Sequence, residues 1–368
     1  MANITYYLGA GASYQAIPIQ NALGHKMMEL YNYILRSEEG HKDRFIFPNV
    51  SGQKRDLKRA LLHDIGYFGQ KALEYGSIDT YAKKLWFNPS AYGEEPFLIK
   101  LAVNFFFSIW QNIDQEEWRK MPGDNTIKYR KVDSRYTALL AAILKKGNDG
   151  PYLPDNINFI TWNYDLQLEG AFTQFLPNFD WDLTEKVLSF LPIPGGRNLQ
   201  ICHLNGLSGY YLIHKVNKDA KYHRLSNRND AKEFSEFIEN LVRFRESYAH
   251  GDIDLDGMIG YAWEDELDER NLGNDYTIKA KVDAIPMMQK ADVLVIIGYS
   301  FPPFNRATDR MLFKNLGEEC RIVYQCPGAK KEIFKSLLSD RFNPDNIEIV
   351  EELDKFYLPD DFFSGSSE

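Results

Sequence analysis

The stretch that decides the fold is Asp292-Val-Leu-Val-Ile-Ile297, which runs directly into Gly298-Tyr-Ser-Phe301. Five of its six residues are apolar, and four of those five are β-branched. An unbroken apolar run of this kind is typical of a parallel strand that is buried on both faces. The glycine that follows ends the strand. We therefore predict a central parallel strand with a turn at its carboxyl end.

Five other short runs favour strands, and helical patterns alternate with them along the chain. The strand candidates are Ile4–Leu8, Ile157–Thr161, Leu199–Leu204, Arg321–Gln325 and Asn346–Val350. Helices are expected at about Gln20–Leu35, Asp165–Phe175 and Lys330–Leu338. Strands that alternate with helices predict an α/β fold with a doubly wound, Rossmann-like and mostly parallel sheet.

The strands are unevenly spaced, which predicts a helical insertion between the first and the second. We expect a Rossmann-like domain formed by residues 1–36 and 147–360, with a helical insertion at 37–146. A charged helical segment is expected at 207–250, and a frayed tail at 361–368.

Composition excludes several classes of protein. A chain with 44% hydrophobic and 26% charged residues is globular rather than disordered. The net charge of −9 does not favour direct binding of nucleic acid. The three cysteines form no Cys-x-x-Cys pair, so we expect no zinc and a reducing compartment. No signal peptide is visible, and Phe97–Ile113 is more typical of a buried helix than of a membrane span. We expect a cytoplasmic protein.

In doubly wound sheets, ligands bind outside the carboxyl ends of the strands, so the turns there are the candidate sites. The first is Gly9-Ala-Gly-Ala-Ser13. Its glycines would allow close approach to a pyrophosphate, and Ser13 adds a hydroxyl donor. Position 14 is Tyr, where the usual dinucleotide motif has its third glycine. A tight turn that binds nothing remains the alternative.

Three further turns carry polar side chains, and each has a structural alternative. Asn163 and Asp165 follow the second strand of the sheet and could contact a ribose or a water; Asp165 could instead begin a helix. His203 could act as a general base or be structural. The turn at 298–305 could contact a ligand or simply connect a strand to a helix, with Asn305 as its N-cap.

The order and spacing of these motifs resemble those of the sirtuin family. The motifs are the glycine turn with Ile17-Pro18 downstream, Thr161-Trp-Asn-Tyr-Asp165, Cys202-His-Leu-Asn-Gly206, and Gly298-Tyr-Ser-Phe301. The nearest branch is that of the bacterial sirtuin-like proteins of phage defence, which hydrolyse NAD⁺. The resemblance covers the sheet-forming parts of nearly the whole chain. The helical insertion lies where the family also has a helical insertion, but none of its residues carries the resemblance.

The resemblance implies a role for each matching residue. Asn163 would be the catalytic asparagine, with Asp165 as its partner near the nicotinamide ribose. The residues implied to contact the rest of NAD⁺ are Gly9, Ala10, Gly11 and Ser13 at the phosphates and nearby ribose, Gly298 and Ser300 on the adenosine side, and Gln325 at the adenine ribose in place of the family's asparagine.

Two departures from the family pattern change these expectations. The chain lacks cysteines for the family's zinc module, and the charged segment 207–250 stands in its place. This argues against deacetylation of a lysine peptide. The family's catalytic histidine directly precedes the glycine, whereas here Asn205 does and His203 lies two residues earlier. We keep both His203 and Asn205 as candidates for the catalytic position.

The resemblance implies an NAD⁺ glycohydrolase that releases nicotinamide and ADP-ribose and has no resident metal. Its role would be NAD⁺ depletion as the effector of an antiphage abortive-infection system. The alternative is a non-hydrolysing NAD⁺- or ADP-ribose-binding regulatory subunit of a larger defence assembly. The family also implies a homo-oligomer and a separate partner protein, such as a HerA-type ATPase. We expect no direct partner in nucleic acid or membrane.

Overall fold

The computed structural model describes residues 1–37, 46–48, 54–113, 131–148, 150–192, 198–213, 221–225, 234–249, 255–264 and 275–362. The chain divides into two compact units. The sheet unit consists of Met1–Tyr14, Val132–Gly206 and Gly260–Glu368. The helical unit consists of Gln15–Lys131 and Leu207–Ile259. Most of the expected tail, from residue 363 onward, and parts of the expected charged segment lie outside the described residues.

The sheet unit is built on six strands that are all parallel to their neighbours. They are β1 (Ile4–Leu8), β6 (Ile157–Thr161), β7 (Ile201–His203), β11 (Val293–Ile297), β12 (Arg321–Gln325) and β13 (Ile347–Val350). Their order across the sheet is β13-β12-β11-β1-β6-β7. The predicted Rossmann-like, doubly wound α/β fold is confirmed.

β1 lies at the point where the chain changes direction across the sheet. From β1 the chain proceeds outward to β6 and β7, and it then returns to β11 and continues to the other edge. Leu8 pairs with Ile297 on one side and with Thr161 on the other. Because the three strands end in register, the turns that follow them lie side by side. This is the place where ligands bind in such sheets.

The described helices of the sheet unit flank this sheet. They are α5 (Ser134–Ile143), α6 (Gln167–Thr173), α7 (Trp181–Val187), α9 (Asp275–Lys290) and α10 (Arg306–Phe313), and a hairpin of β4 (Lys145–Gly147) and β5 (Gly150–Tyr152) accompanies them. The helix expected at 330–338 is instead a 3₁₀ turn at Lys331–Ser336. The residue before this turn, Lys330, supplies no side-chain capping hydrogen bond, and 3₁₀ turns are frequent as connectors.

The helical unit contains α1 (Gln20–Ser37), α2 (Leu57–Glu74), α3 (Ile78–Phe87), α4 (Glu95–Asn112) and α8 (Phe234–Ala249). It also holds a three-stranded sheet in the order β10 (Leu255–Ile259), β8 (Gly206–Ile213) and β9 (Lys221–Arg224), and a hairpin of β2 (Ile46–Pro48) and β3 (Lys54–Asp56). α4 is buried from Ile99 to Trp110 except at Lys100, which confirms the predicted buried helix. No helix in the described ranges is long and apolar enough to cross a membrane.

Candidate active site

The glycine turn after β1 is a 3₁₀ turn, Ala10–Ser13, and most of its amides are already bonded to backbone. The Gly9 amide donates to Ile297 O (3.0 Å), the Gly11 amide to Gly298 O (2.9 Å), and the Ala12 amide to Gly9 O (2.8 Å). α1 begins only at Gln20, so no long helix starts at this turn. These three amides are therefore committed to the fold rather than directed at a phosphate.

The glycines of this turn allow it to contact the turn after β11. A Cβ on Gly11 would lie 2.8 Å from Gly298 Cα, and a Cβ on Gly298 would lie 2.4 Å from Ala12 N. Gly298 also has a φ of +61°, which L-residues rarely adopt. The close approach of the two turns explains both glycines. Ala10 is the residue of this turn that is exposed to solvent.

Arg135, a residue that the sequence analysis missed, holds the glycine turn from α5. Its buried guanidinium donates to Gly11 O (3.2 Å) and Ala12 O (2.9 Å), and it pairs with Asp133 (2.6 Å). It also lies over the Tyr14 ring, 4.3 Å from its centroid. A planar donor fork suits several acceptors at once. The sequence signal was weak, because nothing local marks an arginine for burial.

The structure brings Ser13, Asn163 and Asp165 into one buried cluster. The Ser13 hydroxyl donates to Asp165 Oδ1 (3.1 Å), and Asn163 Nδ2 donates to Ser13 Oγ (3.2 Å). Asn163 Nδ2 also donates to Gly9 O (3.0 Å), and the Tyr136 hydroxyl lies 3.2 Å from Ser13 Oγ. Three of the predicted site residues therefore meet where β1 and β6 end.

Burial raises the pKa of the Asp165 carboxyl to about 7. Hydrogen bonds from the Gln167 amide and from Ser13 act in the opposite direction, as does the nearby His203. The bond to the Gln167 amide places Asp165 beside the first residue of α6, although the N-cap residue is Leu166 and not Asp165. A carboxyl that titrates near neutrality is also suited to proton transfer at that pH. Both the hydrogen bond to α6 and proton transfer are open to Asp165 in this position.

His203 lies in the interior and has both ring nitrogens engaged. Its Nδ1 is 3.1 Å from Asn163 O, and its Nε2 is 2.9 Å from Glu169 Oε1. The side chain of Glu169, on α6, is also fully buried. No local sequence pattern marks Glu169, which is one carboxylate in a helix that only the structure shows to be largely buried. The geometry does not give His203 a free nitrogen with which to act on a ligand.

Asn205 directly precedes Gly206, at the start of β8. Its Nδ2 donates weakly to Trp162 O (3.4 Å), and its backbone oxygen accepts the Gly260 amide (2.8 Å). Its Oδ1 is buried and has no hydrogen-bond partner within the described residues. A buried amide oxygen without a hydrogen-bond donor lowers the free energy of unfolding, so Asn205 is not placed here for stability.

Of the remaining residues predicted to contact NAD⁺, Ser300 is exposed and Gln325 is buried. Ser300 is exposed on the turn after β11, between Gly298 and Phe301, which has a φ of +53°. Gln325 is buried and holds the C-terminal segment: its Nε2 donates to Glu352 O and Lys355 O, and its Oε1 accepts the Tyr357 amide. Both amide hydrogens of Gln325 are thus committed within the fold. Asn305 precedes α10, but its side chain donates to Tyr299 rather than capping the helix.

A second buried carboxyl, Asp309 on α10, lies beneath the turns and was not predicted. It accepts hydrogen bonds from Tyr7 (2.6 Å), Tyr299 (2.8 Å) and Trp162 Nε1 (3.2 Å). Burial raises its pKa to about 7 although these three donors oppose the shift. Its donors come from β1 and from the segments after β6 and β11, so Asp309 ties three strand ends together.

Within the described ranges, no group of three or more metal-binding side chains lies together. The three cysteines are unpaired and buried. In comparisons with known proteins, no family model and no curated protein matched the chain.

Proposed function

We propose that the chain binds NAD⁺ over the carboxyl ends of β1, β6 and β11 and cleaves the nicotinamide–ribose bond to give nicotinamide and ADP-ribose. The observation that carries the proposal is the buried cluster of Ser13, Asn163 and Asp165. It lies beside β1, where the strand order reverses, and it unites the residues whose types and spacing resemble the sirtuin family.

The cluster suits cleavage of an N-glycosidic bond. Such a reaction passes through an oxocarbenium-like centre, as glycoside hydrolysis does. The amide of Asn163 cannot rotate freely, because its Nδ2 donates to both Gly9 and Ser13. We assign its Oδ1 to the attacking water. As the nicotinamide–ribose bond breaks, nicotinamide leaves with the bonding electron pair, the water oxygen bonds to the ribose carbon, and the proton of the water passes to solvent. Asp165 in its ionised form would stabilise the developing positive charge, since electrostatic stabilisation of this kind is strong in a water-poor site.

The resemblance extends the proposal to a biological role. NAD⁺ depletion would make the chain the effector of an antiphage abortive-infection system in the cytoplasm. We also propose that the chain forms a homo-oligomer and that a separate protein, such as a HerA-type ATPase, triggers its activity.

One observation favours a second candidate, a non-hydrolysing NAD⁺- or ADP-ribose-binding regulatory subunit. His203 has both nitrogens engaged, and an amide rather than an imidazole stands at position 205. A general base typically contributes about 10²–10⁴-fold to a rate. A site without one can bind its ligand and turn it over very slowly.

Release of nicotinamide from NAD⁺ tests the proposal, with Asn163→Ala as the variant. We expect the wild type to release nicotinamide and the variant to lose at least about 10²-fold of that rate. The matched control is Asn104→Ala, which removes an equally buried asparagine that is hydrogen-bonded within the helical unit. Each variant also leaves buried backbone groups unpaired, at a cost of about 1–3 kcal/mol, so urea unfolding must accompany the assay.

The outcomes separate the two candidates. An Asn163→Ala variant that folds and keeps the wild-type rate contradicts the proposed mechanism. If the wild type releases no nicotinamide but calorimetry shows that it binds NAD⁺ or ADP-ribose, the regulatory subunit is the better description. Absence of both binding and cleavage contradicts both candidates.

A further inference from the structure

Asn163 lies beyond the end of β6, so sheet hydrogen bonds do not hold it. The strand ends at Thr161. The Asn163 amide instead donates to Thr161 Oγ1 (3.0 Å), and its side chain donates to Gly9 and Ser13. Its carbonyl oxygen remains, and that oxygen faces His203 Nδ1 at 3.1 Å. A buried carbonyl requires a donor, so Nδ1 must carry its hydrogen.

The other ring nitrogen of His203 is also committed. Nε2 faces Glu169 Oε1 at 2.9 Å, and the two side chains are 2% and 0% exposed. The second carboxyl oxygen, Glu169 Oε2, has no hydrogen-bond partner within the described residues. Within the described residues, the imidazole is therefore the hydrogen-bond partner of the buried Glu169 carboxyl.

We propose that His203 and Glu169 form a buried positioning pair that orients Asn163 through its main chain, and that His203 is not the general base. The proposal rests on the proposed function, because it assigns the catalytic asparagine its support. Glu169 on α6 holds the imidazole, the imidazole on β7 holds the carbonyl of Asn163, and the Asn163 amide is thereby directed over the strand ends.

The electrostatics of the pair agree with this role. Burial acts to lower the pKa of the His203 imidazole, but Glu169, the Asn163 carbonyl and Asp165 together raise that pKa above its ordinary value. A histidine ring that carries a hydrogen on each nitrogen has no lone pair with which to accept a proton from water. Of the two roles that the sequence leaves open for His203, its surroundings therefore favour the structural one over that of general base.

The decisive experiment compares asparagine and alanine at position 203. The Nδ2 of an asparagine can take the place of His203 Nδ1 and donate to Asn163 O, but it has no basic nitrogen. Because removal of the imidazole alone would leave the buried Glu169 carboxyl without this hydrogen-bond partner, both changes are made together with Glu169→Gln. The pair to compare is H203N/E169Q against H203A/E169Q, with folding checked by thermal unfolding.

If the pair positions Asn163, H203N/E169Q keeps nicotinamide release within about 10-fold of the wild type, and H203A/E169Q loses about 10²-fold. The pH profile of H203N/E169Q keeps the limbs of the wild type. If His203 is the base, both double variants lose about 10²–10⁴-fold and the profile loses its acidic limb. Equal loss in the two variants, or equal retention, overturns the proposal.

Two readouts do not depend on turnover. Nitrogen-15 chemical shifts of His203 should show both ring nitrogens protonated near neutral pH; a bare Nδ1 overturns the proposal. NAD⁺ affinity, measured by calorimetry, should survive in H203N/E169Q and fall in H203A/E169Q. A wild type that binds NAD⁺ without cleaving it overturns the proposed function alone, and these two measurements then decide the positioning pair.

Discussion

At position 298 the backbone imposes two requirements that only glycine, among the amino acids, meets together. Its φ of +61° favours glycine, and the Gly11 and Ala12 backbone leaves no room for a side chain. Gly328 has a similar φ of +66° in open space, whereas Gly317 has open space and no left-handed φ. The three glycines therefore separate the effect of backbone conformation from that of crowding.

Replacement of these glycines by alanine should destabilise the protein in a graded way. We expect Gly317→Ala to be near neutral and Gly328→Ala to cost about 1 kcal/mol of unfolding free energy. Gly298→Ala should cost more than either, because the added Cβ forces the turns after β1 and β11 apart. Urea unfolding measures the series. Equal values for Gly298→Ala and Gly328→Ala would show that the two turns separate freely.

At the scale of elements, Asp309 connects α10 to three strand ends through Tyr7, Trp162 and Tyr299. Asp309 is 1% exposed, and burial raises the pKa of its carboxyl to about 7 from an ordinary 3.8. A group with a raised pKa in the folded state holds its proton more tightly there than in the unfolded chain. Its stabilising contribution is complete below pH 3.8 and is lost as the pH rises to about 7.

The Asp309→Asn variant should therefore remove part of the pH dependence of stability. Between pH 5 and pH 8, the wild type should lose on the order of 2 kcal/mol of unfolding free energy relative to the variant. Unfolding curves of both proteins across this range give the difference directly, and the shared contribution of Asp165 cancels. A difference that does not change with pH would mean that Asp309 is already ionised at pH 5.

At the scale of the whole molecule, the three cysteines lie apart in sequence and are buried. Cys202 is in β7, Cys320 precedes β12, and Cys326 follows it. A structural zinc site needs four ligands at short spacing. The described residues hold no such group.

The purified protein should accordingly contain less than stoichiometric zinc by elemental analysis. Treatment with a chelator should leave the midpoint of thermal unfolding unchanged, because no metal-binding free energy is coupled to folding. Stoichiometric zinc, or a chelator that lowers the midpoint, would place a metal site in the part of the chain that the structure does not describe.

Much of the fold and part of the site follow from local sequence. The apolar run at 292–297 needs burial on both faces, and the alternation of strands and helices requires a parallel sheet. Parallel strands end at one edge, so Ser13 and Asn163 were bound to be near each other once β1 and β6 were neighbours. Residue types at strand ends are therefore informative without any knowledge of tertiary contacts.

Tertiary structure alone decided which partner each polar group has. Glu169 and His203 are 34 positions apart, Arg135 and Ala12 are 123 apart, and Tyr7 and Asp309 are 302 apart. A local pattern cannot encode such pairings, because burial and hydrogen bonding depend on the whole chain around a residue. The same holds for the glycine turn: its sequence suits a phosphate or a tight contact equally well, and only the turn after β11 shows that its glycines serve the contact.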